Sequence, residues 1–295
     1  MNSILQRQNE PLNLRKLAAQ RALYSSAKKV QAGQLVLVVI LSTVLALTAI
    51  WQESIAGPVA LYSLLITLAD FLGFEPAIAS IKKQAAQIQE SFDCSVLDIE
   101  CSVFKAGDPE IEDVLMNSDA LFKLKTDVEK LRDWYSAEIE PLSIGLSRLV
   151  CQRSNFQWDT GLRKDYNGFL LIPALGIVAA VSISCLAQKV DFEHFVLAGA
   201  AILPALLFFL KQRQQNQEAM ARLGQLAGHF RKVWQQANAS TLSEAQLSEA
   251  ARRIQDEIYD HRAQSPLVPD FYYWLRRKRD EWTMNRAAQQ YAAPE

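Results

Sequence analysis

The chain has 295 residues, half of them hydrophobic, and its 31 Lys plus Arg nearly cancel its 32 Asp plus Glu. No excess of basic charge points to a nucleic-acid polymer as partner, and by average composition alone the chain could be an ordinary soluble protein. The distribution along the chain says otherwise, because four windows are almost free of charge.

The opening segment carries Leu14, Leu17, Ala18, Arg21, Ala22 and Tyr24 at mixed helical spacings, which predicts a short basic helix whose cations suit an anionic lipid surface. It runs into the first window, Leu35 to Trp51, LVLVVILSTVLALTAIW. With Gln34 this approaches the roughly 20 apolar residues that cross a hydrocarbon core. A long polar segment precedes the window and no small-residue cleavage motif follows it, so a retained N-terminus is expected rather than a signal peptide. The second window runs from about Ile55 to Phe74 and holds one ionisable residue, Asp70. The third is Gly168 to Ala187, and the fourth His194 to Leu210. The windows pair tightly, joined by QES near residue 53 and QKVDFE near residue 190, which predicts two helical hairpins.

Cations cluster at all four span ends: Arg7, Arg15, Lys16, Arg21, Lys28 and Lys29 before the first, Lys82 and Lys83 after the second, Arg163 and Lys164 before the third, Lys211 and Arg213 after the fourth. Between them the hairpin turns hold only Lys189. The positive-inside rule therefore places both termini and the middle segment in the cytoplasm. The expected organisation is a cytosolic basic helix at 1–33, a first transmembrane hairpin at 34–74, the middle part of a cytosolic domain at 75–167, a second hairpin at 168–210 and cytosolic C-terminal helices at 211–295.

In the middle part, AIASIKKQAAQIQESF reads as a helix continuing the second span. In FDCSVLDIECSVF the apolar residues fall on Phe92, Cys94 and Val96, then on Leu97, Ile99, Cys101 and Val103, an alternation with one phase slip that predicts a short β segment with a bulge. Asp108 followed by Pro109 marks a helix start, with Ile111, Val114, Leu115, Leu121, Leu124, Val128 and Leu131 continuing it and Trp134 and Tyr135 closing it. After Pro141 another helix carries CQRSNFQWDTGLRKDY, Cys151 to Tyr166, towards the third span. In the C-terminal part, TLSE, Thr241 to Glu244, has capping-box form ahead of a face made by Leu247, Ala251, Ile254 and Ile258. Beyond Pro266 and Pro269, FYYWLRRKRDEW is a basic aromatic helix suited to lipid headgroups, to packing or to a nucleotide. The fold class is thus a mainly α membrane protein, with four transmembrane helices in two hairpins and a mostly helical cytosolic domain containing a short β segment.

Signals of catalysis are absent or weak, so that an enzyme would have to be a cryptic membrane-bound hydrolase, the reading the sequence favours least. His194, His229 and His261 are scattered, no His or Cys sits at metal-ligand spacing with another, and there is no Gly-rich phosphate loop, GxSxG elbow or HExxH. The expectation is no enzyme, no cofactor and no metal. Cys94, Cys101, Cys151 and Cys185 form no CxxC pair and read as small packing residues.

Three strings, LAAQRALYSSAK, IQESFDCSVLDI and CQRSNFQWDTGLRKDY, together with the order of elements, resemble the SMODS-associated four-transmembrane effectors of bacteria. The resemblance covers nearly the whole chain and implies a membrane effector encoded beside a cyclic-oligonucleotide synthase of an anti-phage system. Such an effector would form or open a pore in the inner membrane on infection, with growth arrest or cell death as the result. It also implies the lipid bilayer, a cyclic oligonucleotide and further copies of the chain as partners. An anchored sensor or scaffold that recruits a partner without forming a pore is the alternative.

Helical geometry sets Arg148, Gln152, Asn155 and Asp159 on one polar stripe, with Arg153 partly to its side. Asp159 and Arg163 can pair four residues apart, and Trp158 offers a flat face beside them. Arg148, Gln152, Arg153, Asn155, Trp158, Asp159 and Arg163 are therefore candidates for binding a cyclic nucleotide or for coupling: Arg neutralises phosphate, amides read base edges and Trp stacks. The competing reading is a buried polar network that docks this helix on its neighbours. Within the spans, Ser42, Thr43, Ser63, Thr67, Ser182 and Ser184 supply hydroxyls, and Asp70 is the pore or membrane candidate, since an ionisable group in a span commonly faces a partner or a water path.

Overall fold

A computed structural model describes residues 3–102, 104–105, 107–123, 128–239, 241–270 and 272, the Trp158 side chain excepted. Ten α-helices are used below: α1 (Ile4–Arg7), α2 (Pro11–Gln34), α3 (Ser42–Trp51), α4 (Ala56–Ala69), α5 (Glu75–Leu97), α6 (Ile111–Phe122), α7 (Ile144–Phe169), α8 (Leu171–Gln188), α9 (Phe192–Asn238) and α10 (Glu244–Gln264). Two π-helical segments, Leu35–Leu41 and Asp70–Phe74, continue α2 into α3 and α4 into α5. Among the described residues four stretches are helical, long and apolar enough to cross a membrane: Pro11–Trp51, Glu53–Leu97, Ile144–Gln188 and Phe192–Asn238.

The chain divides into two compact units, a polar one of Met1–Ser26, Ile81–Arg163 and Glu218–Glu295, and an apolar one of Ala27–Ser80 and Lys164–Gln217. Each of the four boundaries between them falls inside a helical stretch, in α2, α5, α7 and α9.

In the apolar unit, α3 and α4 form one hairpin and α8 and α9 the other. The second turns at Lys189, whose left-handed backbone (φ 53°) lets the Val190 amide reach the Cys185 carbonyl at 3.2 Å. The core is rich in small side chains, Ala46 and Ala49 from α3, Val59 from α4, Val181 and Cys185 from α8, Ala198 and Ala201 from α9, with Ile50 and Ile202 packed among them. Small residues let helix backbones approach closely, which substitutes for a hydrophobic driving force inside lipid. Ser63 hydroxyl lies 3.0 Å from both its own helix's Val59 carbonyl and the Ala201 carbonyl of α9, tying the two hairpins together. Large apolar side chains face outward, among them Leu64, Leu65 and Phe71 on the first hairpin and Ile172, Leu175 and Leu186 on the second. An outward apolar girdle with small residues inside is what a bilayer stabilises. Pro58 and Pro173 fall in the first turns of α4 and α8, where the missing amide would have no intrahelical partner, whereas Pro204 lies inside α9.

In the polar unit, α5 is the central element. Along it Ala85, Ala86, Ile88, Phe92, Val96 and Leu97 are buried together with Gln89, Glu90 and Asp93. Leu14, Leu17 and Ala18 of α2, Leu131, Tyr135 and Ile139, Val150 and Cys151 of α7, and Ala251 of α10 surround its C-terminal half. A second cluster joins Leu149 and Phe156 of α7 to Leu223, Leu226 and Phe230 of α9 and to Leu247, Ile254 and Ile258 of α10. A fully buried Phe such as Phe92 or Phe230 contributes about 1.5–3 kcal/mol of transfer free energy.

Three expectations need correction. No strand occurs among the described residues, so the β segment is absent; Phe92 to Leu97 are the last turns of α5. A helix wrapped on all sides has no wet face, and its apolar residues lose the 3.6-residue period that would identify it. The helix ends instead at Asp98, in left-handed backbone (φ 56°), with the Ile99 amide bonded to the Cys94 carbonyl at 3.0 Å. Next, α6 begins at Ile111 behind an extended Glu110, not at Asp108, and ends at Phe122 with Lys123 as its C-cap; Leu124 lies outside the described residues, and Trp134 and Tyr135 lie in a non-helical loop. Finally, the capping box is Ser243–Gln246 rather than Thr241–Glu244, because the Thr241 hydroxyl bonds the Gln236 carbonyl at 2.9 Å where α9 ends. The C-terminal FYYWLRRKRDEW lies, Tyr272 apart, outside the described residues.

Candidate functional site

The polar stripe on α7 faces inward. Asp93 of α5, fully buried, gathers four donors: Tyr135 hydroxyl to Oδ1 at 2.7 Å, and Asn155 Nδ2 (3.4 Å), Gln255 Nε2 (3.0 Å) and Arg262 Nη1 (2.6 Å) to Oδ2. One turn earlier Glu90 accepts from Arg252 Nη2 at 2.5 Å and from Gln255 Nε2 at 2.8 Å. Gln255 therefore spends both amide hydrogens on the two carboxylates, while its oxygen receives Gln152 Nε2 at 3.1 Å. Gln152 also donates to the Ala251 carbonyl at 2.7 Å. Two acids meet two guanidiniums and two amides in a setting where each unpaired group would cost several kcal/mol. Burial pushes the Glu90 carboxyl above its ordinary value, against the hydrogen bonds from Arg252 and Gln255 that pull it down.

Arg148 does a separate job. Its Nε donates to the Leu97 carbonyl at 2.7 Å and its Nη2 to the Asp98 carbonyl at 2.6 Å, so a cation satisfies two carbonyls at the negative end of α5. Asp159 and Arg163 pair at 2.5 Å, as their spacing predicts, and His261 Nε2 reaches the same Asp159 oxygen at 2.5 Å. Burial works to raise the Asp159 carboxyl, but the Arg163 guanidinium and the His261 hydrogen bond hold it well below the usual carboxylate range. Burial lowers His261, outweighing Asp159; because a carboxylate only accepts, Nε2 is the donor to Asp159, and the Ser265 hydroxyl lies 3.0 Å from Nδ1. Arg163 Nη2 and Lys82 Nζ hold the Pro266 and Ser265 carbonyls at 3.1 and 2.7 Å.

The seven candidates on α7 thus part company. Arg148, Gln152, Asn155, Asp159 and Arg163 are engaged with α5, α10 and the segment after α10. Arg153 lines a cavity of about 280 Å³ together with Asp133, Trp134, Tyr135, Ser136, Ser154 and Gln157. The Trp158 side chain lies outside the described residues. Asp93, Glu90, Arg252, Gln255, Arg262 and Trp134 were not singled out by sequence reasoning as site residues. A signal for some of them exists in retrospect, since Arg252, Gln255 and Arg262 recur on one face of α10 and Glu90 and Asp93 on one face of α5.

In the apolar unit, Asp70 opens the second π-helical segment and accepts from Gln34 Nε2 at 2.6 Å, the residue just before the first. At the other end of that second segment Glu75 pairs with Lys211, whose ammonium sits 5.7 Å from the Phe71 ring centroid. Short π-helical insertions are rare and concentrate at functional positions. The hydroxyls of Thr43, Thr67 and Ser184 are bonded to carbonyls four residues back, at 2.7, 2.7 and 2.8 Å, which occupies them within their own helices.

A unit of four apolar membrane-length helices and a polar helical unit organised around buried ion pairs define a multi-span membrane protein with a helical extramembrane body. The chain matches the SMODS-associating 4TM effector domain over residues 2–291 and belongs to that family, as the three sequence strings led us to expect. It is similar to a protein of Bacillus cereus (strain VD146) named as a probable CBASS effector molecule, with 24% identity over 297 residues and 95% of each chain covered. No solved structure matches it.

Proposed function

We propose that this chain is a membrane effector of an anti-phage defence system, in which the polar unit senses a cyclic oligonucleotide and the apolar unit forms or opens a pore in the inner membrane. The result is growth arrest or cell death. Both termini and the polar unit lie on the cytoplasmic side, where the cations flanking the four spans favour them. Family membership and the printed name of the Bacillus cereus relative support the defence role.

The observation that carries the coupling is that all four connections between the units are helical. A displacement of α5 or α7 within the polar unit then has a path along the helix into a span, with no loop to absorb it. Within one copy the cavity among Ala49, Ile50, Val59, Ala198 and Ala201 has only about 10 Å³, enough for a single water at most. A pore is therefore assigned to a homo-oligomer, whose helices separate or rotate to wet a hydrophobic constriction. No step of this mechanism requires catalysis.

The test is dye release from liposomes of anionic phospholipid carrying the purified chain, on addition of a panel of cyclic di- and trinucleotides. Release with one member of the panel and not with its linear form is expected. Liposomes that stay intact with every nucleotide would overturn pore formation, and a membrane potential that survives activation in cells would favour an anchored sensor that recruits a partner.

A further inference from the structure

The cavity beside α7 is separate from the buried ion pairs, and its lining has a distinct chemistry. Trp134 is 41% exposed, yet its ring meets Phe92 edge to face with centroids 6.4 Å apart, so an aromatic surface is presented to solvent in a fixed attitude. Arg153 brings a guanidinium, Gln157 an amide, Ser136 a hydroxyl that accepts from the Glu138 amide, and Ser154 one that donates to the Cys151 carbonyl at 2.7 Å and keeps its lone pairs; the Asp133 carboxylate in the same lining is engaged by Asn9. The loop that carries Trp134 is pinned from below by the N-terminal segment: Asn9 and Asp133 exchange two hydrogen bonds, of 2.9 and 3.1 Å, and the Tyr135 amide donates to Gln8 Oε1 at 2.7 Å.

The geometry points to this cavity as the seat of one nucleotide of the cyclic oligonucleotide, with the base stacked on Trp134, a phosphate on Arg153, and Gln157 and the serine hydroxyls on the base edge and sugar. The inference rests on the proposed function for the class of ligand and goes beyond it in placing the site. Stacking on an aromatic face joined to phosphate neutralisation by Arg is the general chemistry by which proteins hold single-stranded nucleotides. Size sets the stoichiometry. At about 280 Å³ the cavity falls just below the roughly 300–1,000 Å³ of sites that enclose whole drug-sized ligands, so it holds one nucleotide while the rest of the ring projects outside. The projecting nucleotides are free to engage the same cavity in a second copy of the chain.

The site also has a route inward. Tyr135 lines the cavity, and its hydroxyl donates to Asp93 of α5 while accepting from Asn155 of α7 at 3.0 Å. An occupant that shifts Tyr135 perturbs the two helices that lead towards the second and third spans. Asn155, one of the stripe residues, then acts as a positioning residue rather than as a ligand contact.

The test uses the full chain in detergent micelles, with cyclic di-AMP, cyclic di-GMP, cyclic GMP–AMP and cyclic tri-AMP as probes in equilibrium binding, and Arg153→Gln and Trp134→Leu as variants. For whichever probe binds, each variant should weaken binding about tenfold or more, Arg153→Lys should recover part of the loss, and the 5′-mononucleotide of the bound base should compete. Because Trp134 packs on Phe92, unchanged thermal unfolding is required of that variant, and Arg153→Gln alone decides the question if it is not met. Unchanged affinity in Arg153→Gln overturns the site and leaves the proposed function standing. No binding of any probe by the unsubstituted chain overturns both.

Discussion

Asp93→Asn is the sharpest perturbation of the polar unit. The carboxylate accepts four donors, three of them at Oδ2, and its charge partner Arg262 has only 11% of its side chain exposed. An amide in the same place offers one acceptor atom, turns NH₂ hydrogens towards at least one donor, and leaves the guanidinium facing no charge. Removing one partner from a buried ion pair costs roughly 3–5 kcal/mol, because the survivor stays desolvated. For a unit of 150–250 residues each kcal/mol moves the melting temperature by roughly 2–4 °C, so a fall of roughly 6–20 °C is expected. Arg262→Met should cost a similar amount, and the double variant Asp93→Asn with Arg262→Met should lose much less than the sum. The assay is thermal unfolding of the full chain in detergent, read with a thiol-reactive dye as buried Cys94 and Cys151 become accessible. Single variants that melt within about 2 °C of the unsubstituted chain, or a double variant whose loss equals the sum of the singles, would refute the reasoning.

Other outcomes follow from the same contacts. Arg148→Ala strips two carbonyls at the end of α5 of their donor and should destabilise the polar unit by about 1–3 kcal/mol, measured by the same melt. His261 is held below its ordinary value in the folded chain, so the unfolded chain takes up its proton first as pH falls. Stability should therefore be lost below about pH 6.5, by at most about 1.4 kcal/mol per pH unit from this group, and His261→Gln should flatten the profile between pH 6.5 and 5.5. Cys101, half-buried, is held low by the hydrogen bond from Cys94, whereas burial keeps the Cys151 thiol well above its usual value. Maleimide should label Cys101 first in the native chain, and Cys101→Ser should remove the fast phase; fast labelling of Cys151 would contradict its burial. Ser243→Ala breaks the capping box of α10 and should cost about 1 kcal/mol.

The apolar unit was legible because hydropathy needs no partner to be read: a run such as LVLVVILSTVLALTAIW announces its environment by itself. Asp159 with Arg163 was legible for a similar reason, since both ends of the contact lie one helical turn apart. What escaped were features set by distant chain. Glu90 and Asp93 meet Arg252, Gln255 and Arg262 more than 160 residues later, and no local pattern reports that encounter. The same enclosure erased the helical period of residues 92–97 and produced a false alternation. Arg148 was read as part of a stripe because its spacing is helical, but its target is the end of another helix, which spacing on its own helix does not reveal.

The polar unit is assembled from three stretches of chain separated by the two hairpins, and this arrangement governs the order of events during synthesis. Glu90 and Asp93 emerge from the ribosome long before the arginines and the glutamine of α10 that neutralise and solvate them. Until α10 arrives, α5 has no reason to dehydrate its two acids, so its final burial waits for nearly the whole chain. The hairpins are by then already made and available to the bilayer. A nascent or truncated chain lacking α10 would consequently carry the apolar helices without a finished polar unit, and such products should be recognised by proteases that act on exposed, unfolded polar chain.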